Sequence, residues 1–413
     1  MMLVDRLKNR WPDLILLLIL ALLPLLFFWR LISPNPADQL DIASGDFTEQ
    51  YFPLRAFAAG QWVNGQIPLW NPYLYGGQPA LADIQSGALY PPHLLQALLL
   101  GWGGPLLGYQ IGFPLRALAW QVILHFSLAS AGTYLFFRHL ARRHRFRRRY
   151  ARFGGVIAAL VFTYGGYLTG FPVQQLTILE VSAWLPWVLW GLTTTNERLS
   201  ECTDHVERGT WNLKGGKQLT FHVLRSTGYA LRPIALTAVA FAMALLAGHP
   251  QTALYIFYLT LAYMLFLPFF THYALRITSF ASKFAALMVH LIPWGITLVL
   301  GAAMAAAQLL PTLAFINRSV RADLSFEAVA TGLPLSELIS VLYPGFFGGS
   351  PEYVGIASLI LIALALTLTF SHLGKPSLSR LAIPSATLIF WTAAALVGLL
   401  LAFGRNTFLY PLF

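Results

Sequence analysis

Cysteine is nearly absent. Cys202 stands alone among 413 residues, so no intramolecular disulfide framework can hold the fold. Charge is scarce as well, at 10% of residues. The sequence contains no Walker loop, no zinc-ligand spacing, no heptads and no internal repeat. The first apolar run, WPDLILLLILALLPLLFFWRLI, has no small-x-small cleavage site and exceeds a signal-peptide core in length, so it reads as a retained signal anchor.

What remains is hydrophobic. Apolar residues make up 57% of the chain and the mean hydropathy is +0.63. A water-soluble domain cannot hide that much apolar surface. Runs of about 20 apolar residues recur, each long enough to cross roughly 30 Å of hydrocarbon. Lipid satisfies no backbone polar group, so such spans must be helical. The expectation is an all-α, polytopic transmembrane bundle with about nine spans, near 11–32, 110–137, 154–171, 175–194, 231–248, 251–270, 286–309, 354–371 and 382–402. It forms a single membrane domain over 1–413, with two large loops, 33–109 and 310–353, on one side.

Basic residues set the orientation. Most of the 27 lie in the N-terminus, in RHLARRHRFRRRYAR (138–152), in 195–232 and in the short loops near 271–285 and 372–381. That side is expected to be cytoplasmic, N-terminus included. The other side holds most acids (Asp38, Asp41, Asp46, Glu49, Asp83, Asp323, Glu327, Glu337, Glu352) and few cations: Arg30, Arg55, Arg116, Arg318, Arg321 and Arg405. The net charge of +11 thus reads as a topology signal beside anionic lipid, not as a nucleic-acid surface.

The large loops are rich in Pro, Gly, Tyr, Trp, Asn and Gln. DFTEQYFPLRAFAAGQW and PPHLLQALLLGW read as short helices along the membrane surface, and PLWNPYLYGGQPA between them as turns. Its Trp70 and Asn71 suit a sugar ring, although an aromatic belt needs no ligand. Asp-Phe-Thr-Glu fits a capping box with Asp46 as N-cap and Glu49 three residues on. Asp41 has no such structural duty, and either carboxylate could act as a general base on a hydroxyl. Asp41 and Asp46 could also share a divalent metal, though no spacing demands one.

Two ionisable residues, Glu180 and Arg116, fall inside expected spans, where charges face the bundle and pair. The simplest expectation is a Glu180–Arg116 ion pair, compatible with lining a site. In LLAGHPQTALY, Pro250 enforces a turn that places His249 and Gln251 at the acidic surface, where His249 is either a satisfied polar group or part of a site. Arg318 and Arg321 could hold a phosphate or pair with Asp323 and Glu327.

GDFTEQYFPLRAF, PLWNPYLYGGQPALADIQSGALYPP, AWLPW, LLAGHPQTALY, AAAQLLPTLAFI, LYPGFFGG and PEYVG, in order over about residues 40 to 405, resemble the YfhO-like family of bacterial membrane proteins. The resemblance implies a GT-C-type architecture in the bacterial plasma membrane. It implies a glycosyltransferase that takes sugar from a polyprenyl-phosphate donor and passes it to an extracytoplasmic envelope glycan or lipid acceptor. The family block matches Asp46, Gln50, Tyr51 and Pro53, which makes Asp46 the expected base with Asp41 in reserve. Arg318, Arg321 or Arg405 would then hold donor phosphate. Gln50, Tyr51, Trp70, Asn71, Gln85, Gln174, Gln175, Glu180, His249 and Gln251 would line the cleft. No cofactor beyond that possible metal is implied. Family members continue past FGRNTFLYPLF, so further spans beyond Phe413 are expected. The rival readings are a transporter or flippase of lipid-linked precursors, and a non-catalytic assembly protein. A transporter should show repeated halves and charges deep in several spans.

Overall fold

The computed structural model describes residues 2–42, 44–103, 113–207, 216–269, 280–325, 330–343, 353–372 and 385–408. Glu327, Glu352, much of LYPGFFGG, the start of the span expected at 110 and most of the basic loops near 271–285 and 372–381 lie outside these residues. The described chain is helical, and its only β pairing is an isolated bridge between Asn71 and Gln78.

The helices are α1 (Met2–Phe27), α2 (Trp29–Ile32), α3 (Phe52–Val63), α4 (Pro91–Gly103), α5 (Leu115–Arg143), α6 (Arg148–Tyr164), α7 (Gly166–Thr169) and α8 (Phe171–Gln174). After them come α9 (Leu176–Glu207), α10 (Gly216–Leu246), α11 (Pro250–Phe269), α12 (Phe280–Ile316), α13 (Ile356–His372) and α14 (Ser385–Ala402). Both surface helices expected in the first large loop are present, as α3 and α4.

Five segments are long and apolar enough to cross a membrane: Arg148–Thr169, Leu176–Glu201, Thr227–Leu246, Pro250–Pro268 and Leu287–Ile316. Three further apolar helices, Trp11–Phe27, Ile356–Leu368 and Ala386–Ala402, are shorter. Helix α5 is 29 residues long but more polar, because its buried face carries Gln121, His125, Ser130 and Thr133. Five described spans, rather than the nine expected, therefore meet both criteria.

Helix α9 is the hub, packing against α5, α10 and α11, while α12 packs along α10. Gly191 permits the close approach of α9 to α10, since a Cβ there would strike the Thr237 hydroxyl. Small residues at a crossing are the usual way membrane helices gain van der Waals contact. One face of α12 leaves Val299, Leu300, Met304, Leu310 and Leu313 uncovered, and α1 leaves Leu14, Ile15, Leu18, Leu22 and Leu26. Apolar stripes of this extent would be unfavourable in water; against lipid chains they carry no such penalty. They support a membrane protein.

At one end of the bundle, Asp13 ties three helices together. Its carboxylate accepts from Tyr134 Oη at 2.8 Å, Arg138 Nη2 at 2.7 Å and Arg152 Nε at 2.9 Å. At the opposite end, Phe47 and Tyr51 enter a core of Leu118, Val122, Phe126, Leu168, Leu176 and Leu179. The acidic loop is thus plugged into the mouth formed by α5 and α9.

Candidate acidic site at the loop end of the bundle

The segment Asp46–Tyr51 is a single π-helical turn, closed by the Phe52 N–H bonding to Phe47 O. Five residues at 3.6 per turn would leave side chains about 140° apart. The wider π turn brings positions 46 and 51 towards one direction, and one partner receives both. Gln175, just ahead of α9, donates through Nε2 to Asp46 Oδ2 and accepts from Tyr51 Oη at 2.7 Å through Oε1. Single π turns inside helices recur at functional sites.

The capping box expected of Asp46 does not form. Gly45 is the N-cap: its carbonyl accepts from the Thr48 and Glu49 N–H groups, and its own N–H donates to the Thr48 hydroxyl at 3.3 Å. Thr48, two positions into the turn, does the work expected of Glu49. Gly45 has φ of +141°, a conformation that suits glycine and offers no side-chain oxygen. The Asp46 carboxylate is therefore free of backbone duty, exposed, and oriented by a glutamine from another element.

Behind it the site becomes steadily drier. Thr177 donates to Tyr51 Oη at 3.2 Å, and burial raises the Tyr51 pKa above the usual phenol range. One turn further, Arg55 Nη2 meets Glu180 Oε2 at 2.6 Å, with both side chains fully buried. This replaces the expected Glu180–Arg116 pair. Arg116, in the first turn of α5, is exposed; the surface helix α3 instead lowers Arg55 into the bundle, where Phe47, Tyr51 and Leu54 go with it. Gly87 makes room, since its φ of +58° and missing Cβ let the guanidinium lie against the backbone.

A second layer surrounds the pair. His125 Nδ1 is 2.7 Å from Gln121 O, so this nitrogen carries the proton. Nε2 then accepts from Tyr90 Oη at 2.5 Å, and Tyr90 in turn accepts from Trp184 Nε1 at 2.8 Å. His93 is buried beside Arg55, and burial together with that cation holds its pKa well below the imidazole range. None of Arg55, Gly87, Tyr90, His93 or His125 was singled out for the site from sequence. Arg55 carried a signal nonetheless, being a cation on the acid-rich side.

Other expected residues join the same neighbourhood. Gln50 donates to Gln85 Oε1 at 2.7 Å. Gly248 packs directly on Ile84 O, Gln85 Cα and Thr177, which brings the adjacent His249 beside this cluster. His249 caps α11, its Nδ1 accepting from the Thr252 N–H at 3.2 Å and lying 2.7 Å from the Thr252 hydroxyl; burial lowers its pKa. Four segments distant in sequence (46–55, 84–90, 175–180 and 248–249) thus converge.

The rest stand apart from this hydrogen-bonded core. Asn71 is buried and structural: it pairs with Gln78 and accepts from the Tyr73 N–H at 2.9 Å. Trp70 lies over Gly77 and is largely exposed. Gln174 is exposed, and Gln251 donates to Tyr255 Oη at 2.7 Å. Arg318 is exposed just past α12, whose Thr312 anchors to Ala82 O at 2.9 Å. The Arg321 side chain lies outside the described residues. Arg405 borders a different hollow, with Thr331, Gly332, Pro334, Leu335 and Asn406. Asp41 lines a small hollow with Leu31, Ile42, Phe47, Leu115, Arg116 and Ala119. Among the described residues, no group of three or more His, Cys, Asp or Glu is placed to hold a metal ion.

Comparison with family models, with curated proteins and with solved structures finds no match to this chain.

Proposed function

We propose that this chain is a membrane-embedded, inverting glycosyltransferase of GT-C type. It would take a sugar from a polyprenyl-phosphate carrier and pass it to a hydroxyl of an envelope glycan or lipid on the outer face. The N-terminus and arginine-rich loops would lie in the cytoplasm. The resemblance to the YfhO-like family supplies the reaction class. The observation that best supports it is the Asp46 carboxylate: exposed, relieved of capping by Gly45, and aimed by Gln175.

In this mechanism Asp46 takes the proton of the acceptor hydroxyl as its oxygen attacks the anomeric carbon. The glycosidic C–O bond to phosphate breaks, and carrier phosphate leaves. Tyr51 and Gln175 hold the carboxylate in one orientation, which is what a general base needs. Arg55 and Glu180 are positioning residues, because they fasten α3, which continues the π turn, to α9 without reaching the surface. Gln50, Gln85 and His249 border the acceptor side.

The test compares envelope glycans of a deletion strain complemented with wild type or with Asp46→Asn. Asparagine keeps the shape and can still bond Gln175, but takes up no proton at neutral pH. Expression should be unchanged and transfer should fall by about 10²- to 10⁴-fold. Undiminished transfer by the variant would sink Asp46 as the base.

A further inference from the structure

The first large loop carries an apolar turn that the acidic site does not use. From Ala56 to Ala82 the chain contains no Asp, Glu, Lys or Arg. Within this stretch Ile67, Leu69, Trp70, Tyr73 and Tyr75 are all exposed, Tyr73 to 82% and Tyr75 to 94%. Large apolar side chains left bare together mark a surface that has a partner.

The turn is built to hold these side chains outward. Asn71 and Gln78 exchange two backbone hydrogen bonds, at 2.8 and 2.9 Å, and the Gly77 N–H donates to Leu74 O at 2.8 Å. Tyr75, Gly76 and Gly77 have φ of +53°, +75° and +118°. Glycine enters that region freely and tyrosine does not, so the chain keeps a ring at the tip against its backbone preference. Trp70 lies across Gly77, where a Cβ would strike the indole. Tyr73 meets Phe57 of α3 edge-on, with ring centres 6.2 Å apart.

Depth and composition choose the partner. Just past the turn, Leu81 O accepts from Gln308 Nε2 and Ala82 O accepts from Thr312 Oγ1 at 2.9 Å. At 1.5 Å per residue these two anchors lie about 12 and 6 Å along α12 from its end at Ile316. Leu310 and Leu313 beside them are exposed, so the bundle still presents an apolar surface at this level. Gln78 is only three residues from Leu81, a reach of no more than about 11 Å. A sugar platform would need polar side chains beside its rings. Here Asn71 is buried and bonded to the Tyr73 N–H, and the side chains exposed beside the rings include the aliphatic Ile67 and Leu69. Trp and Tyr gather where headgroups meet hydrocarbon, with ring in the apolar zone and polar tip in water. A stretch without ionic groups enters that zone without losing ion hydration.

We infer that the 67–77 turn is an interfacial anchor, which seats Trp70, Tyr73 and Tyr75 in the headgroup layer of the leaflet on the loop side. The acidic loop is then held from two directions, by Arg55 inside the bundle and by these rings in lipid. The inference requires that the bundle sit in a bilayer and does not depend on sugar transfer.

Spin-label accessibility in lipid nanodiscs tests it. Single labels at Leu69→Cys and Tyr75→Cys, in full-length protein with Cys202→Ser, are compared with Val299→Cys in the middle of α12 and Asp323→Cys beyond its end. All four positions are exposed, so a label displaces no packing, and thermal unfolding checks each variant. The readout is the ratio of collisions with oxygen to collisions with a water-soluble nickel chelate. Both turn sites should exceed Asp323 by at least about threefold and fall below Val299, because a polar chelate is excluded from the apolar phase that oxygen enters. A ratio equal to that of Asp323 at both sites would overturn the inference. Shielding of such sites by an added oligosaccharide would make the turn a sugar platform instead. Low access to both reagents would mark a contact with protein and overturn it equally. A water-like ratio at Val299 would remove the inference together with the membrane reading, so that failure is distinguishable from the others.

Discussion

The buried Arg55–Glu180 pair makes a quantitative claim about how the acidic loop is held. Removing one member of a fully buried ion pair costs about 3–5 kcal/mol, because the survivor is left uncompensated. Here the bond is single: among the described residues, Arg55 Nε, Arg55 Nη1 and Glu180 Oε1 find no hydrogen-bond partner. The lower end, about 3 kcal/mol, is therefore the expectation, equivalent to roughly a hundredfold shift in an opening equilibrium. Replacing both residues by apolar ones of similar size should be close to neutral. The reporter is Ala58→Cys on α3, a fully buried position one turn beyond Arg55, in a Cys202→Ser background. Its rate of labelling by a water-soluble maleimide measures how often α3 lifts from the bundle. Arg55→Met should raise that rate about a hundredfold, and Arg55→Met with Glu180→Leu should bring it back near the starting value. A single variant that labels at the background rate would refute the account, as would a double variant that labels as fast as the single.

Two other features make independent predictions. Asp13→Asn leaves Arg138 and Arg152 facing each other across α1, α5 and α6 without their carboxylate; the cost should be about 2 kcal/mol, read as a lower thermal midpoint in detergent. His249 caps α11 through an unprotonated Nδ1, and burial depresses its pKa. The unfolded chain therefore binds the proton more readily than the folded one. Its contribution is complete above the ordinary imidazole pKa and declines as pH falls below about 6.5 towards the folded value. His249→Asn keeps a capping side chain without titrating, so the slope of thermal midpoint against pH between about 7 and 5 should flatten. An unchanged slope would show that another group sets it.

How much of this was legible in the sequence depends on the range of the interaction. The apolar periodicity of α6, α9, α10, α11 and α12 is local, and their expected bounds fall within several residues of the structure. The surface helices α3 and α4 were equally local, each announced by an apolar run after a proline or an acid. Helix α5 shows where composition misleads. Its Gln121, His125 and Thr133 lower its hydropathy, yet they face the interior and bond to neighbours there.

The partner of Glu180 was a harder problem, because sequence reveals that a membrane charge needs a counter-ion but not which one. Arg116 was the nearest candidate by depth along a span. The structure supplies Arg55, which lies on a surface helix and is buried only because Phe47 and Tyr51 plug α3 into the bundle mouth. Three local details make that docking possible. The π turn aims two side chains at Gln175; Gly45 accepts the capping role; Gly87 clears space for a guanidinium. Each is a backbone event whose purpose appears only once a distant segment is in place. The expected capping box and the expected ion pair failed for one shared reason, which also ties the candidate site to the fold. The loop is not laid on the bundle but inserted into it, so the residues that anchor it and the residue it presents, Asp46, belong to one stretch of ten residues, 46–55.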